Sequence, residues 1–519
     1  MWSRRRFLVE TGRWAAGALG LLLAGTALRL ESAPATRPLY GGYPFTLGVA
    51  SGEPQPDGIV LWTRLAPDPL NGGGMRKETV PVRWEIARDD RFERVVRRGV
   101  AAALPELGHA VHVEATGLQP DCEYFYRFRV GGEMSPIGRT KTLPASGAEV
   151  ARLCFAFASC QNYQDGYFTA YRHMRNESLD FVIHLGDYIY ESGYALRSIR
   201  PHIGGALRTI EEYRNRYALY RMDSDLAAAH AAFPWIVAMD DHEVENNWAG
   251  AVPGREESLE SFLHKRLAAF QAFYEHMPLR PLSRPTESGM KLYRRFEYGN
   301  LASFHMLDTR QYRDDQASGD GWRPPSRASA DENRTLLGSE QEAWLMEGVA
   351  SSTAVWNVVA QQVFFSKRDR NASAEGERVS MDAWDGYEAS RKRLLAHVRE
   401  SGVRNFVVLT GDVHSNWANE IKADFDDASS PTVGVEWVGT SISSGGDGAD
   451  GDSGAESMLA MHDHLKFYNG NRGYVVCTAT PNEWRTDYRV VPFVTRTGAD
   501  IATKASFSTQ AGDMKVRPV

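Results

Sequence analysis

The chain has 519 residues, of which 43% are hydrophobic, 24% charged and 11% aromatic. This length exceeds the roughly 250–300 residues at which one hydrophobic core stops growing, so two domains are the starting expectation. The composition excludes intrinsic disorder and fibrous folds. The 59 Lys and Arg against 66 Asp and Glu give a net charge of −7. There is no basic stripe interleaved with aromatic residues, so an obligate nucleic-acid partner is not expected.

The first 35 residues have the pattern of an export signal. A run of three arginines before Phe7 precedes an apolar segment from Trp14 to Leu28, and residues 33–35 (Ala-Pro-Ala) predict cleavage before Thr36. The paired arginines resemble a twin-arginine signal, so the twin-arginine export machinery is a predicted partner and the mature protein is predicted to be periplasmic or extracellular. A retained membrane anchor is the alternative. It is disfavoured because glycines interrupt the segment, which is shorter than the ~20 residues of a membrane span.

Residues 45–143 contain short apolar and aromatic runs separated by turn residues, with no helical pattern between them. Examples are Gly58–Thr63, Val82–Ile86 and Cys122–Phe128. This spacing predicts an all-β sandwich domain. Residues 115–126 form a turn that leads a tyrosine onto an alternating strand, and this resembles the end of a fibronectin type III domain.

After Arg152, apolar strands alternate with helical patterns of 12 or more residues, which is typical of an α/β domain. Several strands are apolar on both faces and should lie in packed sheets covered by helices. We expect this domain to span 151–495, followed by a C-terminal tail, 496–519, without a strong helical pattern. Strands are predicted at 153–158, 181–185, 235–239, 301–307, 355–360 and 406–410, and helices at 167–175, 210–232, 258–276, 339–349 and 387–401.

Polar side chains follow five of these strands. The segments are Ser159-Cys160, Gly186–Tyr190, Asp240–Glu243, Asp308–Arg310 and Gly411–His414. Because open α/β sheets bind ligands at the carboxyl ends of their strands, we expect the five segments to meet at one site. Carboxylates packed together there would repel one another without a cation, which predicts a metal centre. For any single segment, an aspartate that caps a helix is the alternative.

The donor types divide into two sets. Those that suit a Lewis-acidic transition metal, ferric iron above all, are Cys160, Tyr190 and His414. Those with hard oxygen atoms, which suit calcium, manganese or magnesium, are Asp187, Asp241, Asn246 or Asn247, and Asp412. Asp187 is adjacent to both sets and is the candidate for bridging two ions. The other three cysteines are interpreted as core or unpaired residues: Cys122, Cys154 and Cys477.

In this order, the motifs resemble those of the PhoD-type alkaline phosphatases, which belong to the calcineurin-like and purple acid phosphatase superfamily of metallophosphoesterases. The segment Phe45–Gly52 and the motif Asp240–Asn247 contribute to this resemblance, which covers residues 45–488. It implies an N-terminal all-β sandwich and an α/β domain of two packed mixed sheets flanked by helices. It also implies Fe3+ and Ca2+. The implied iron ligands are Cys160, Asp187, Tyr190 and His414, and the implied calcium ligands are Asp187, Asp412 and one of Asp241, Asn246 and Asn247.

The resemblance implies an exported enzyme of phosphate acquisition that hydrolyses small phosphate esters by attack of a hydroxide or oxo group held on the metals. His242 falls where the superfamily keeps a histidine that contacts the substrate, and it is predicted to orient the substrate or protonate the leaving group. An arginine is predicted to bind phosphate: Arg310, or one of the three on the helix at 210–232, with Arg216 preferred over Arg214 and Arg221. Some family members close the site with a C-terminal helix, for which Thr495–Val519 has no pattern.

Two alternatives remain. The first is a phosphodiesterase of phospholipase D type that uses the same metal site and acts on phosphodiesters or phospholipid headgroups. The second is a non-catalytic secreted binding protein. It is disfavoured because a lost site should show a gap in the ligand set, whereas every motif position here holds a competent donor.

Overall fold

The computed structural model describes residues 41–370, 376–427 and 429–519, which include both expected domains. The predicted export signal, residues 1–35, lies outside the described residues. Among the helices of the described residues, none combines the length and the apolar character needed to cross a membrane.

The first part of the chain is built from strands. They are β1 (Val49–Gln55), β2 (Gly58–Arg64), β3 (Val80–Ala87), β4 (Val95–Ala103), β5 (Ala110–Thr116), β6 (Glu123–Val130), β7 (Glu133–Met134) and β8 (Gly138–Lys141), with a 3-10 turn at Pro105–Leu107. Alternate residues of β6 point inward, and Tyr124, Tyr126 and Phe128 are buried, as expected for a strand with one face on a core. Strands β3, β4, β6, β7 and β8 form one sheet of a sandwich.

The second part alternates strands and helices. Its elements are β9 (Leu153–Ala158), α1 (Thr169–Met174), β10 (Phe181–His184), α2 (Ile210–Arg221), α3 (Ser224–Ala232), β11 (Pro234–Val237), α4 (Leu259–His276), a 3-10 turn (Pro281–Ser283), β12 (Arg294–Tyr298), β13 (Ala302–Met306), β14 (Trp322–Arg323), α5 (Gly338–Ser351), β15 (Trp356–Ala360), β16 (Val379–Ser380), a 3-10 turn (Trp384–Tyr387), α6 (Glu388–Glu400), β17 (Phe406–Thr410), β18 (Asn416–Lys422), β19 (Thr432–Val438), α7 (Ser453–Met461), β20 (Leu465–Asn469), β21 (Arg472–Ala479), β22 (Glu483–Val491), β23 (Ala502–Gln510) and β24 (Asp513–Pro518).

Two large mixed sheets pack face to face. One has the strand order β24-β23-β22-β21-β9-β10-β11-β1-β2-β5, and the other has the order β12-β13-β15-β17-β19-β18-β20. Phe155 and Ile183 of the first sheet lie in one apolar core with Phe304 and Val407 of the second. Helices α1 to α4 pack on the outer face of the first sheet, and α5 to α7 pack on the outer face of the second. The predicted arrangement of packed mixed sheets flanked by helices is confirmed.

The N-terminal sandwich shares strands with the α/β domain, a pairing that the sequence did not predict. Strand β1 pairs in parallel with β11 (Ser51 with Pro234, Gly52 with Trp235), so β1, β2 and β5 belong to the ten-stranded sheet. The same three strands pack against β3 and β6 to complete the sandwich. Local strand patterns do not reveal this pairing because its partners are about 180 residues apart in sequence.

The predicted single helix at 210–232 is wrong, because the chain forms two helices. Helix α2 ends at Arg221 and α3 begins at Ser224. The side chain of Asp223 accepts hydrogen bonds from the backbone N–H groups of Asp225 (3.0 Å) and Leu226 (3.1 Å). An aspartate in this position satisfies the free donors of a new helix and so stabilises a helix start.

The C-terminal segment, expected as a separate tail, instead extends the ten-stranded sheet. Strand β23 pairs with β22, β24 pairs with β23, and Phe507 and Met514 are buried in the core between the two sheets. The four cysteines of the chain are free. Cys154 is buried in β9, as expected, and Cys477 is buried in β21, a strand that the sequence did not predict.

Candidate metal centre

The carboxyl ends of β9, β10, β11 and β17 meet at the edge of the two large sheets. The backbone N–H of Cys160, after β9, donates to the carbonyl of Gly186, after β10 (3.1 Å). Ser159 forms a bridge to Ser441 in the segment after β19, which links the ends of the two sheets. The strand-end motifs therefore lie side by side although they span more than 250 residues of sequence.

Three groups of donor atoms lie at this edge, and within each group the atoms are within 4.8 Å of one another. The groups are Cys160 with Asp187 and His414, Asp187 with Asp241 and His242, and Asp240 with Asp241 and Asp412. Asp187 and Asp241 are each shared by two groups. The aspartates 187, 240 and 241 are at most 2% exposed, so mutual repulsion of their charges is poorly screened by water.

On the thiol side of Asp187, the Tyr190 hydroxyl donates to Asp187 Oδ2 (3.0 Å) and lies 3.3 Å from His414 Nε2. Burial raises the pKa of Cys160 well above its usual range, and burial together with the Asp187 charge does the same to the pKa of Tyr190. Both groups therefore stay neutral unless a cation binds next to them. Ser444 Oγ lies 2.7 Å from the Tyr190 hydroxyl oxygen and forms a hydrogen bond with it. The sequence did not indicate this partner.

On the carboxylate side, Arg310 is buried among acidic groups. Its Nε donates to Asp240 (2.5 Å), its Nη1 donates to Asp382 (2.9 Å), and its Nη2 lies 3.8 Å from Asp241 Oδ1 and 3.6 Å from Asp412 Oδ1. The sequence predicted that Arg310 binds phosphate. The structure shows it as the internal counter-charge of the aspartates, with its Nη2 buried and without a hydrogen-bond partner.

Backbone strain is concentrated at the same residues. Eleven non-glycine residues of the described chain have a positive φ, and five of them are predicted ligands: Cys160, Asp187, Asn247, Asp412 and His414. Such conformations cost roughly 1–3 kcal/mol each and persist where the surrounding structure enforces them, most often at functional sites. Four of these five side chains, those of Cys160, Asp187, Asp412 and His414, lie in the donor groups.

Gly186 and Glu243 shape the turn that carries Asp187. A Cβ at Gly186 would lie 2.4 Å from the Cβ of Asp240, and its φ of +116° is one that few other residues adopt. The buried Glu243 carboxylate accepts the backbone N–H groups of Asp187 (3.1 Å), Tyr188 (2.6 Å) and Asp240 (2.9 Å). Glu243 therefore joins the ends of β10 and β11, a role that its motif did not indicate.

His242 is held by a carboxylate and by an aromatic ring. Its Nδ1 lies 2.7 Å from Glu191 Oε2, and its ring stacks on Tyr190 with centroids 4.1 Å apart. Burial acts to lower the pKa of His242, but the charges of Asp241, Asp187 and Glu191 raise it overall, well above its usual range. Sequence reasoning missed Glu191, whose position directly after Tyr190 was the available signal.

Two predicted site residues contact other groups. Arg216 is buried in α2, and its Nη1 donates to the backbone carbonyls of Tyr190 and Ser192 (2.8 Å to the latter), so it supports the segment behind the cluster. The backbone N–H of Asn247 donates to Asp241 Oδ2 (2.7 Å), while its side-chain amide contacts Asp320. Among the three candidates for the second ion, Asp241 is the one whose carboxylate lies in two of the donor groups.

The carboxyl groups make the stability of the cation-free protein depend on pH. Burial raises the pKa of Asp412 to about 7 and raises the pKa of Asp187 well above its usual range, against roughly 4 in an unfolded chain. The folded state then holds protons that the unfolded state releases, so the contribution of these carboxyl groups to stability should fall as pH rises from about 4 to about 7. Burial lowers the pKa of His184 and of His414 to about 3, and such histidines act in the opposite direction up to about pH 6.5. The measurement is therefore a difference: in chelator-treated protein, Asp412→Asn should gain more in unfolding midpoint over the wild type at pH 8 than at pH 5. An equal gain at the two pH values would contradict this.

Stacked mixed sheets flanked by helices, with carboxylate, thiol and imidazole groups at the strand ends, define the metallophosphoesterase class of fold. Comparison with known proteins assigns the chain to a phosphatase family. The sequence model of the PhoD-like phosphatase matches residues 155–488, and that of the PhoD-like phosphatase N-terminal domain matches residues 31–144. The chain belongs to the PhoD-like phosphatase family, and it is a phosphatase, a hydrolase of phosphate esters.

Individual relatives support this membership. The chain is 54% identical over 522 residues to alkaline phosphatase D of Bacillus subtilis (strain 168), an alignment that covers 100% of this chain and 89% of that protein. A solved structure of PhoD superposes with a TM-score of 0.91 at 55% identity and covers 94% of this chain and 93% of its own. The purple acid phosphatase PPD1 of yellow lupin (Lupinus luteus) matches with a TM-score of 0.52 at 13% identity, covering 89% of this chain and 73% of its own, and shares the fold alone.

Proposed function

We propose that this chain is an exported, metal-dependent alkaline phosphatase that releases inorganic phosphate from small phosphate esters. The observation that carries the proposal is the cluster of buried donors on both sides of Asp187, within 4.8 Å in each group. The name of the Bacillus subtilis relative, alkaline phosphatase D, agrees with the activity. The arginine pair and apolar segment of residues 1–35 support export.

The donor set fits two cations of different kinds. Cys160, Tyr190 and His414 offer a thiolate, a phenolate and an imidazole, which suit Fe3+. Asp241 and Asp412 offer hard carboxylate oxygens, which suit Ca2+, and Asp187 lies between the two sets. Buried carboxylates with raised pKa values favour binding of cations, because a bound cation would relieve their repulsion. When bound, such ions supply positive charge that neutralises the phosphate oxygens of the transition state.

His242 is the proposed proton donor of the reaction. Its Nδ1 bonds to Glu191 Oε2, so Nε2 is the nitrogen left to present a proton to the substrate. The surrounding carboxylates favour the protonated imidazole, and its side chain remains 19% exposed, which permits contact with a substrate. We assign to this proton the role of neutralising the departing alkoxide.

Chelation tests the metal assignment. A calcium-selective chelator is expected to abolish hydrolysis while the iron remains bound, and added calcium is expected to restore it, because carboxylate sites release calcium more readily than a thiolate and phenolate release ferric iron. The measurement combines elemental analysis with the rate on nitrophenyl phosphate, before and after treatment. Full activity of stripped protein, or of protein that contains only zinc, would contradict the assignment.

The Tyr190 contact predicts a visible colour. A phenolate bound to ferric iron gives a charge-transfer absorption band, so Tyr190→Phe should bleach or shift the band of the purified protein while the fold is retained. Tyr188→Phe is the matched control, because its hydroxyl lies 2.8 Å from His230 Nε2, away from the donor groups. A colourless active preparation, or an unchanged band in Tyr190→Phe, would contradict the iron assignment.

A second candidate activity is phosphodiester hydrolysis on the same site. It is favoured by the C-terminal segment, because residues 502–518 lie in β23 and β24 and form no helix over the cluster. Phosphodiesters and phospholipid headgroups would then have access. Rates on nitrophenyl phosphate and on bis-nitrophenyl phosphate, compared on one preparation, distinguish the two activities.

We further propose that the N-terminal sandwich is of fibronectin III type. The support is a hydrogen bond in which the backbone N–H of Gln119 donates to the Tyr124 hydroxyl (2.8 Å). A tyrosine hydroxyl that bonds to the backbone a few residues upstream is the tyrosine corner of such sandwiches.

A further inference from the structure

An exposed apolar surface lies on the segment Ser192–Leu207, which follows Glu191 and is called here the apolar loop. Its side chains Tyr194, Leu196, Ile199 and Ile203 are 59%, 85%, 41% and 58% exposed. They are four of the fourteen large hydrophobic residues exposed in the described part of the chain, although the loop has only 16 residues. Single exposed apolar residues need no explanation, but a cluster of this kind marks a binding surface.

Hydrogen bonds fix the base of the apolar loop. The backbone N–H of Tyr194 donates to the carbonyl of Gly204 (3.1 Å), and that of Leu207 donates to the carbonyl of Glu191 (3.0 Å). Gln164 Oε1 accepts the N–H of Ala195 (3.0 Å), and His202 Nε2 lies 3.0 Å from the Tyr220 hydroxyl. The loop is therefore a structured element in which Leu207 is buried in the domain while the four apolar side chains named above are exposed.

The apolar loop is also basic. Between Glu191 and Glu211 the chain contains three arginines and no acidic residue. Arg197 is exposed, and so is Arg208, which directly follows the loop and lies near Glu212. Arg200 is held against the domain by Asp223 (2.5 Å) and by the ring of Tyr163 (3.9 Å). Exposed apolar and cationic side chains together are typical of surfaces that enter an anionic lipid–water interface.

We propose that the apolar loop binds an anionic lipid surface. Leu196 and Ile203 enter the boundary between headgroups and acyl chains, Tyr194 lies at the headgroup level, and Arg197 and Arg208 contact the anionic headgroups. A second copy of the chain is a poorer occupant, because a symmetric contact would bring the arginines of the two loops together. The proposal goes beyond the phosphatase activity and does not depend on it, since none of these side chains belongs to the donor groups.

Cosedimentation with vesicles tests the proposal. The full-length wild type, the double variant Leu196→Ser/Ile203→Ser and the control Leu282→Ser are mixed with phosphatidylcholine vesicles or with equimolar phosphatidylcholine and phosphatidylglycerol vesicles. Leu282 is 85% exposed, like Leu196, but lies outside the apolar loop. All three proteins share residues 1–40, so a difference between them reports on the loop.

We expect the wild type and Leu282→Ser to partition equally onto the anionic vesicles and the double variant to lose at least about tenfold in partition. Arg197→Glu keeps the apolar side chains, and its partition onto the anionic vesicles should fall by about fivefold or more at low salt. Thermal unfolding and hydrolysis of soluble nitrophenyl phosphate should be unchanged in all variants, because the substituted side chains are exposed.

The proposal is overturned if the wild type does not bind anionic vesicles, or if the double variant binds them as the wild type does. It is equally overturned if light scattering finds a wild-type dimer that the double substitution converts to a monomer. That result would identify a second copy of the chain as the occupant of the apolar loop.

Discussion

Asp187→Asn is expected to lower kcat by roughly 10³-fold or more for every phosphate ester and to reduce the content of both metals. The Asp187 carboxylate belongs to two of the three donor groups, so its loss weakens the thiol side and the carboxylate side together. A neutral amide also binds cations less strongly than a carboxylate does. Activity and metal content should be measured on the same preparation.

Asp180→Asn is the matched control for that experiment. Asp180 directly precedes β10, at the end of the strand opposite Asp187, and its Oδ2 accepts the backbone N–H of Cys154 (2.8 Å). This variant should keep its metals and its activity. If Asp187→Asn retained both metals and near-normal turnover, the donor groups would not be the centre of catalysis.

His242→Ala is expected to lower kcat by roughly 10²–10⁴-fold for esters with poor leaving groups and far less for nitrophenyl esters, whose leaving group departs without a proton. Metal content should not change, because Asp187 and Asp241 retain the donor atoms on that turn. The measurement is kcat for an alkyl phosphate and for nitrophenyl phosphate. His173→Ala is the control, because this histidine of α1 lies 2.8 Å from the Ala499 carbonyl and belongs to none of the three donor groups.

Equal losses for both classes of ester, with metals retained, would refute the role of His242 as an acid and favour substrate positioning. Loss of metal would instead identify His242 as a ligand. Glu191→Gln adds a further comparison, because Glu191 acts through its contact with Nδ1. The pH profile of kcat in Glu191→Gln should lie at lower pH than that of the wild type, because a carboxylate that stabilises the imidazolium of His242 has been removed.

The sequence was informative where structure is set locally. Apolar runs that end in Gly-Asp, Ser-Cys or Asp-Asp predicted the strands and the positions of Cys160, Asp187, Asp241 and His414, because a strand and the turn after it depend on adjacent residues. The break at Asp223 was missed because helical periodicity continues on both sides of it, and the cap becomes visible only from its hydrogen bonds.

The hydrogen-bonding and ion-pair partners of the predicted residues could not be predicted from the sequence. Ser444 is 254 residues from Tyr190, and Asp382 is 72 residues from Arg310. No local motif marks either of them. Arg310 illustrates the consequence, since its position at a strand end is visible in the sequence whereas its buried pairing with Asp382 is not. Pairing of distant side chains depends on how the sheets pack, which a single sequence does not encode locally.

The shared sheet has a consequence for the order in which this protein folds. Strand β1 is synthesised about 180 residues before its partner β11, so the early strands have a free edge until nearly half of the chain has been made. Unpaired edges of this kind are prone to association with other chains. A chain shortened to begin at residue 151 would keep that problem permanently, because β11 would lose its neighbour. The N-terminal strands therefore cover the edge of β11, the strand that leads to Asp240 and Asp241.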